Sequence, residues 1–231
     1  MDDEAVIATL RPWADHPVTL LEPGVVPPGE GVLPAAWLPI TQATDAATRR
    51  AAALALWPGD VLAVLPRFAG ALRDSLADVR VCLLDGAPAL VYVFPGAYEP
   101  LITWVGHDPR SFGAEPRFWE HFPDTLRVFL REVHAGFTSR GPEEFGVMRP
   151  SWMVTLADMA GTPEGVEDWD EVQEIASARL LVVGREGEQM LYCVSPDTDP
   201  GQLIEVYEGD VDPGPFPTVF DELLALRFEV N

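Results

Sequence analysis

The densest group of chemically active side chains in this sequence is a run of carboxylates between Glu164 and Glu174. The segment reads EGVEDWDEVQE and holds six acidic residues in eleven positions, with Trp169 among them. Such a run can be a solvated helix face, whose first acids interact favourably with the N-terminal end of the helix dipole. It can also be a surface that mimics phosphate charge and covers the basic cleft of a partner. A metal site is a third interpretation, but the spacing matches no EF-hand loop. On the second interpretation the partner-binding residues are Glu164, Glu167, Asp168, Trp169, Asp170, Glu171 and Glu174.

Acidic residues dominate the whole C-terminal part of the chain. Residues 141–231 carry twenty Asp and Glu against four Arg, so about sixteen of the twenty-two net negative charges lie there. A field of this sign repels nucleic acid and anionic membranes and speeds the approach of a cationic protein. A second acidic stretch alternates with Pro and Gly as surface loops do, and it would add to the potential if it folded beside the first. Its acids are Asp197, Asp199, Glu205, Glu208, Asp210 and Asp212.

Enzymatic chemistry has weaker support in the sequence. Paired carboxylates can perform glycosidase chemistry, but this requires a few acids with shifted pKa values in an apolar cleft, and these acids cluster in polar runs. The chain has no lysine for a Schiff base, no Gly-x-Ser-x-Gly elbow and no glycine-rich phosphate loop. We therefore expect a non-enzymatic protein with neither catalytic residues nor a cofactor.

The histidines and cysteines are poorly spaced for metal binding. The four histidines form neither an HxH nor an HExxH pattern, and the two cysteines lack CxxC spacing, so we expect no metal site. His134 follows a predicted helix, where a protonated imidazole would stabilise exposed carbonyl groups. Cys82 and Cys193 lie in apolar runs typical of strands, which favours buried thiols and leaves a disulfide open.

The composition is that of a folded domain. The chain has 231 residues, of which 48% are hydrophobic, and this is ample for a core. The acidic N-terminus MDDEAVIATLRP lacks the basic and apolar regions of a secretory leader, and no apolar run approaches eighteen residues. We therefore expect a cytoplasmic protein that binds neither membrane nor nucleic acid.

The N-terminal half predicts an irregular lead-in, two helices and a meander. The first forty residues are rich in proline, which disfavours helix interiors and central strands. Residues 41–57 are rich in Ala and Leu and precede Pro58-Gly59, and residues 68–76 have a second helical pattern. Three apolar runs follow, VRVCLL, ALVYVF and LITWV. Because Asp85-Gly86 marks a tight turn between the first two, they predict an antiparallel three-strand meander.

The C-terminal half predicts helices around further antiparallel strands. Apolar residues recur at helical spacing between Pro123 and Gly136, and EDWDEVQEIASA predicts an acidic helix. In that helix Trp169, Val172 and Ile175 would share one face, which favours Trp169 as a core contact over an exposed binding anchor. A hairpin around residues 185–188, a strand in QLIEVYEGD and a terminal helix over residues 216–228 follow. The fold class is α+β, with an antiparallel sheet flanked by helices.

One segment resembles the opening signature of the SMI1/KNR4 family, also called the SUKH superfamily. Members typically have a leucine-proline pair, an aromatic residue, a phenylalanine-leucine pair and an asparagine-glycine-glycine end. The matching residues are Trp119, Pro123, Leu126, Phe129, Leu130, His134, Gly136 and Phe137. The chain departs from the pattern with Phe122 before Pro123, with His134-Ala135 before Gly136, and with Gly187-Glu188 in place of a glycine-aspartate pair. The resemblance covers about half of the chain.

This resemblance implies a fold and a function. Residues 111–231 would form the SMI1/KNR4-like domain, and residues 1–110 an N-terminal extension that either joins the same sheet or folds as a separate module. The family implies a bacterial immunity protein that binds a cognate polymorphic toxin in the producing cell, and most such toxins act on nucleic acids. We therefore expect a basic toxin protein as the partner, bound across its active cleft. A regulatory or scaffold domain is the alternative, and an enzyme using paired carboxylates is a third. The oligomeric state stays open.

Overall fold

The computed structural model describes residues 2–27, 29, 31–96 and 99–229, and it is an α+β fold built on one antiparallel sheet. In the described residues the sheet has ten strands, and each strand pairs with the next one in the chain. This confirms the predicted fold class. The strands are β1 Thr19–Leu20, β2 Asp78–Leu84, β3 Ala87–Pro95, β4 Leu101–His107, β5 Phe137–Ser139, β6 Phe145–Val147, β7 Leu181–Glu186, β8 Met190–Val194, β9 Gln202–Tyr207 and β10 Asp210–Pro215.

Helices cover both faces of the sheet, and no helix in the described ranges is long and apolar enough to cross a membrane. Helix α6, Asp124–Val128, lies in the segment that resembles the SMI1/KNR4 signature and continues as a π-helical turn, Phe129–Val133. The α-helices are α1 Asp3–Leu10, α2 Leu38–Gln42, α3 Ala46–Leu54, α4 Gly59–Ala63, α5 Pro66–Asp74, α6 Asp124–Val128, α7 Leu156–Met159, α8 Glu167–Asp170 and α9 Phe216–Glu229.

The meander β2–β3–β4 confirms the prediction from its three apolar runs. Asp85 and Gly86 both have positive φ, +49° and +82°, as the tight turn between β2 and β3 requires. Alternate residues of these strands point to opposite faces. Tyr92 and Trp104 therefore join the main core, whereas Cys82 joins a smaller core under α1. Both faces of this meander are consequently buried.

The predicted irregular lead-in is wrong at its start, because α1 forms there. Asp2 caps this helix by accepting a hydrogen bond from the Glu4 amide at 3.0 Å, and Asp3 and Glu4 lie in the first turn, where the helix dipole favours acids. Val6 and Leu10 cover the outer face of the meander. The prolines that suggested an irregular segment lie further along the chain, beyond Arg11.

Two further boundaries differ from the sequence-based expectation. The helix predicted over residues 41–57 is divided into α2 and α3, because Asp45 caps a new helix by accepting from the Thr48 amide at 2.9 Å. The second predicted helix, residues 68–76, is observed as α5. Strand β10 was not expected because it contains Pro213 and Pro215; it lies at the edge of the sheet, where proline is tolerated.

The two halves of the chain share one sheet and one main core. Strand β4 pairs with β5, with Trp104 opposite Ser139. Trp13 donates its indole N–H to Thr138 Oγ1 at 3.0 Å, and the Asp221 carboxylate of α9 accepts from the first backbone amides of α5. Residues 1–110 and residues 111–231 therefore pack together in one continuous core.

Candidate protein-binding surface

The acidic segment forms a compact loop around α8, which is a single helical turn. The predicted helix over EDWDEVQEIASA is wrong beyond Asp170, where α8 ends. Asp170 Oδ1 accepts a hydrogen bond from the Ser177 amide at 2.7 Å, and Ser177 Oγ accepts from the Val166 amide at 2.9 Å. The chain therefore folds back on itself between residues 166 and 177.

Two physical causes end the helix early. A longer helix would place Asp170 one turn from Glu174, and like charges four residues apart destabilise helices. In addition, the Asp170 carboxylate bonds to a backbone amide outside the helix, which competes with helical hydrogen bonding. Neither effect can be predicted from the spacing of apolar residues in the sequence.

The shortened helix separates the three residues expected on one buried face. Trp169 packs against the core and donates its indole N–H to the Ile175 carbonyl at 3.0 Å, in agreement with the core interpretation of this residue. Val172, in contrast, is 74% exposed. Trp169 thus anchors the loop, and Val172 presents an apolar side chain to solvent.

The two acidic stretches lie side by side. Gln173 donates its side-chain amide to the Gly209 carbonyl at 2.8 Å, across 36 residues of sequence, and Gly209 forms the turn between β9 and β10. The first stretch therefore meets the turn that carries Glu208 and Asp210. We call the combined region the acidic surface; its exposed carboxylates are those of Glu164, Glu167, Asp168, Asp170, Glu171, Glu174, Glu208, Asp210 and Asp212.

Some acids of the two stretches are already engaged within the protein. Arg179 forms an ion pair with Asp197, and its hydrogen bonds lower the pKa of that carboxyl. Glu205 is half-buried, and burial, followed by repulsion from Glu222 and Asp212, raises the pKa of its carboxyl. Asp170 holds the loop closed through Ser177. The remaining exposed acids are available to a partner.

An exposed aromatic residue lies next to this charge. Tyr207 ends β9 immediately before Glu208, pairs with Asp210 across the turn, and is 42% exposed. Sequence reasoning overlooked Tyr207 and Gln173, and it placed Val172 on the face of a helix together with Trp169 and Ile175. The Tyr207-Glu208-Gly209-Asp210 sequence does contain a turn signal, but only the fold brings Gln173 to it.

The residues that resemble the SMI1/KNR4 signature belong to the core. Leu126, Phe129 and Leu130 are fully or almost fully buried, and Phe137 stacks on Trp104 with ring centroids 4.7 Å apart. Trp119 is also buried, and Pro123 precedes the first residue of α6. Trp57, Trp104 and Trp119 are all buried, as predicted, and Cys82 and Cys193 are buried free thiols.

The expectation that His134 is a protonated helix cap is wrong. The ring is fully buried, stacked on Phe137, and burial lowers its pKa to about 3, so it is neutral at physiological pH. Trp57 donates its indole N–H to the Tyr92 hydroxyl at 3.2 Å, and that hydroxyl lies 2.9 Å from His134 Nε2. With Tyr92 as the donor to Nε2, the His134 proton resides on Nδ1, facing the His107 carbonyl at 3.4 Å.

Gly106 makes room for this ring, because a Cβ at that position would lie 2.5 Å from His134. His134 is thus an interior polar residue whose hydrogen bonds join β3, β4 and the signature segment. The residues that carry the resemblance therefore serve the packing of the core.

Within the described part of the chain, no group of three or more His, Cys, Asp or Glu side chains is arranged to hold a metal ion. Comparisons with protein-family models, with curated proteins and with solved structures find no match to this chain.

Proposed function

We propose that this protein is an immunity-type protein of SMI1/KNR4 kind that binds a basic toxin in the producing cell and covers the toxin's active cleft with its acidic surface. The observation that carries this proposal is the contact between Gln173 and Gly209. It unites two acidic stretches into one continuous region. A united region of one sign generates a stronger local potential than two separate stretches.

The apolar groups beside this charge favour a protein as the partner. Protein interfaces combine a central aromatic or aliphatic anchor with a polar rim, and tyrosine is enriched among their energetically dominant residues. Tyr207 and Val172 are the exposed apolar side chains of this region, and carboxylates accompany both of them in sequence.

The mechanism would be electrostatic attraction followed by steric blocking. A basic cleft that binds nucleic acid is complementary to a cluster of carboxylates, so the acidic surface would accelerate the encounter and orient the partner. Once docked, the loop around α8 and the β9–β10 turn would occupy the space that the substrate backbone needs. No residue of the immunity protein has to take part in chemistry for this inhibition.

The family assignment is supported by the same segment that suggested it. The apolar residues between Trp119 and Phe137 lie in the core, in a helix that leads into a strand, as expected for residues that define a fold. The replacement of the usual asparagine by His134 is compatible with this role, because a neutral His134 forms interior hydrogen bonds.

The salt dependence of association tests this function. The chain would be co-expressed with the protein encoded by the adjacent gene, and association rates of the purified pair measured at about 50 and about 500 mM salt. We expect a stoichiometric complex whose association rate falls at least tenfold at the higher salt concentration, because screening weakens electrostatic steering. Absence of a complex, or an association rate independent of salt, would contradict the proposal.

A further inference from the structure

Arg149 has no carboxylate partner among the described residues. Several other arginines pair with an acid within the protein; Arg49, for example, binds both oxygens of Asp78 at 2.7 Å. Arg149 is half-buried, its Nε is buried without a hydrogen-bond partner, and its Nη2 reaches only the Ser111 hydroxyl, at 3.3 Å. A partly desolvated charge without a counter-charge is unfavourable.

The guanidinium of Arg149 is held in one position. It lies over the Trp152 ring, with its central carbon 5.2 Å from the ring centroid. The stem packs on Gly136, where a Cβ would lie 2.8 Å from Arg149 Cγ, and Gly136 has a φ of +113° that also favours glycine. A cation fixed in this way loses little conformational entropy when it binds an anion.

His107, whose ring contacts the same Trp152 indole, has a second buried nitrogen without a hydrogen-bond partner. The His107 ring packs edge-on against Trp152 with centroids 5.8 Å apart, and His107 is only 7% exposed. Its Nε2 is buried and has no hydrogen-bond partner. Burial, and then the charge of Arg149, lower the pKa of His107 to about 3, so the ring is neutral and can carry its proton on Nε2.

We propose that Arg149, positioned by Trp152 and Gly136 and with the Ser111 hydroxyl beside its guanidinium, is a binding site for a single carboxylate group. The guanidinium fork matches the two oxygens of a carboxylate, and a bidentate pair would neutralise the unpaired charge. The net charge of −22 argues against polyanions, because a ligand with one negative charge experiences the least repulsion. This site is independent of the acidic surface and of the toxin proposed to bind there.

The test uses acetate as the probe and NMR as the measurement. In the full chain, the Nε–Hε signal of Arg149 and the indole N–H signal of Trp152 would be followed during titration with sodium acetate. Parallel titrations with sodium chloride and inorganic phosphate would be made at matched ionic strength. We expect a saturable shift with acetate, with a dissociation constant on the order of 10 mM, and a smaller, non-saturating shift with chloride.

Variants separate a site from a general salt effect. Arg149→Gln should abolish the acetate response of the Trp152 signal, and Arg149→Lys should weaken it severalfold, because lysine keeps the charge but loses the fork. Arg185→Gln is the matched control, since Arg185 also has a buried Nε without a partner but contacts the Met159 sulfur. It should leave the response unchanged. An equal response to chloride, an unchanged response in Arg149→Gln, or tighter binding of phosphate than of acetate would overturn the proposal.

Discussion

The signature segment, residues 119–137, and the acidic loop, residues 164–177, use their side chains in opposite ways. In the first, aromatic rings and one neutral histidine pack in the interior, where Phe137 contacts both Trp104 and His134. In the second, most carboxylates face solvent, and hydrogen bonds of the Asp170, Trp169 and Ser177 side chains hold the loop together. The difference separates residues that maintain the fold from residues that are free to meet a partner.

The largest contrast is expected in stability. Phe137→Ala should lower the free energy of unfolding by about 3–5 kcal/mol, because it leaves a cavity among fully buried rings. Glu167→Ala, on the acidic surface, should change the same quantity by less than about 0.5 kcal/mol. Urea unfolding of both variants measures this contrast, and similar losses for the two would break it.

The second contrast is in pH dependence, because the interior histidines are neutral in the folded protein. The folded-state pKa values of His134 and His107 are both lowered to about 3, from 6.5. Below pH 6.5 the unfolded chain binds protons that the folded chain does not. The contribution of each histidine to the free energy of unfolding should therefore be fully present above pH 6.5. It should fall by about 1.4 kcal/mol per pH unit on acidification toward pH 3.

Unfolding free energies measured between about pH 6.5 and about pH 5.5 test this expectation, since most carboxylates stay ionised in that range. His134→Gln should reduce the slope by about half. His16→Gln is the control, because the His16 side chain is 79% exposed, and it should leave the slope nearly unchanged. A wild-type slope near zero would show that the histidines are protonated in the folded state.

A smaller contrast lies within the acidic loop itself. Asp170→Ala removes the acceptor of the Ser177 amide and should cost about 1 kcal/mol, whereas Glu171→Ala should cost less than about 0.5 kcal/mol. Hydrogen exchange of the Ser177 amide should be faster in Asp170→Ala alone. Equal exchange in the two variants would mean that the carboxylate of Asp170 does not hold the loop.

The sequence predicted the fold well where packing determines structure. Apolar residues at helical spacing located the helix before His134, and three apolar runs located the meander, because buried faces require those patterns. The sequence predicted less where the structure depends on specific contacts of single side chains. The end of α8 depends on Asp170 and Ser177, and the fully buried position of His134 depends on Tyr92 and Gly106, which are distant in sequence.

For the acidic surface, the sequence predicted which residue types are present but not how they are arranged. The acidic residues were visible as a charge excess, but their union depends on a bond between Gln173 and Gly209 that no local pattern encodes. Val172 was expected to be buried because a longer helix was assumed. The exposed apolar side chains of the surface therefore emerge only from the fold.

The most direct test of the account compares two variants with the same change in net charge. The first neutralises acids of the acidic surface that make no side-chain hydrogen bond in the described structure, and the second does the same on other segments. The first set is Glu167→Gln, Asp168→Asn, Glu171→Gln and Glu174→Gln; the second is Glu4→Gln, Asp74→Asn, Glu132→Gln and Glu143→Gln.

The association rate with the proposed toxin partner at low salt is the measured quantity. We predict a fall of about tenfold or more for the first variant and of roughly twofold for the second, because local charge steers association more strongly than distant charge. Equal rates for the two variants would contradict the claim that this protein binds its partner through the acidic surface.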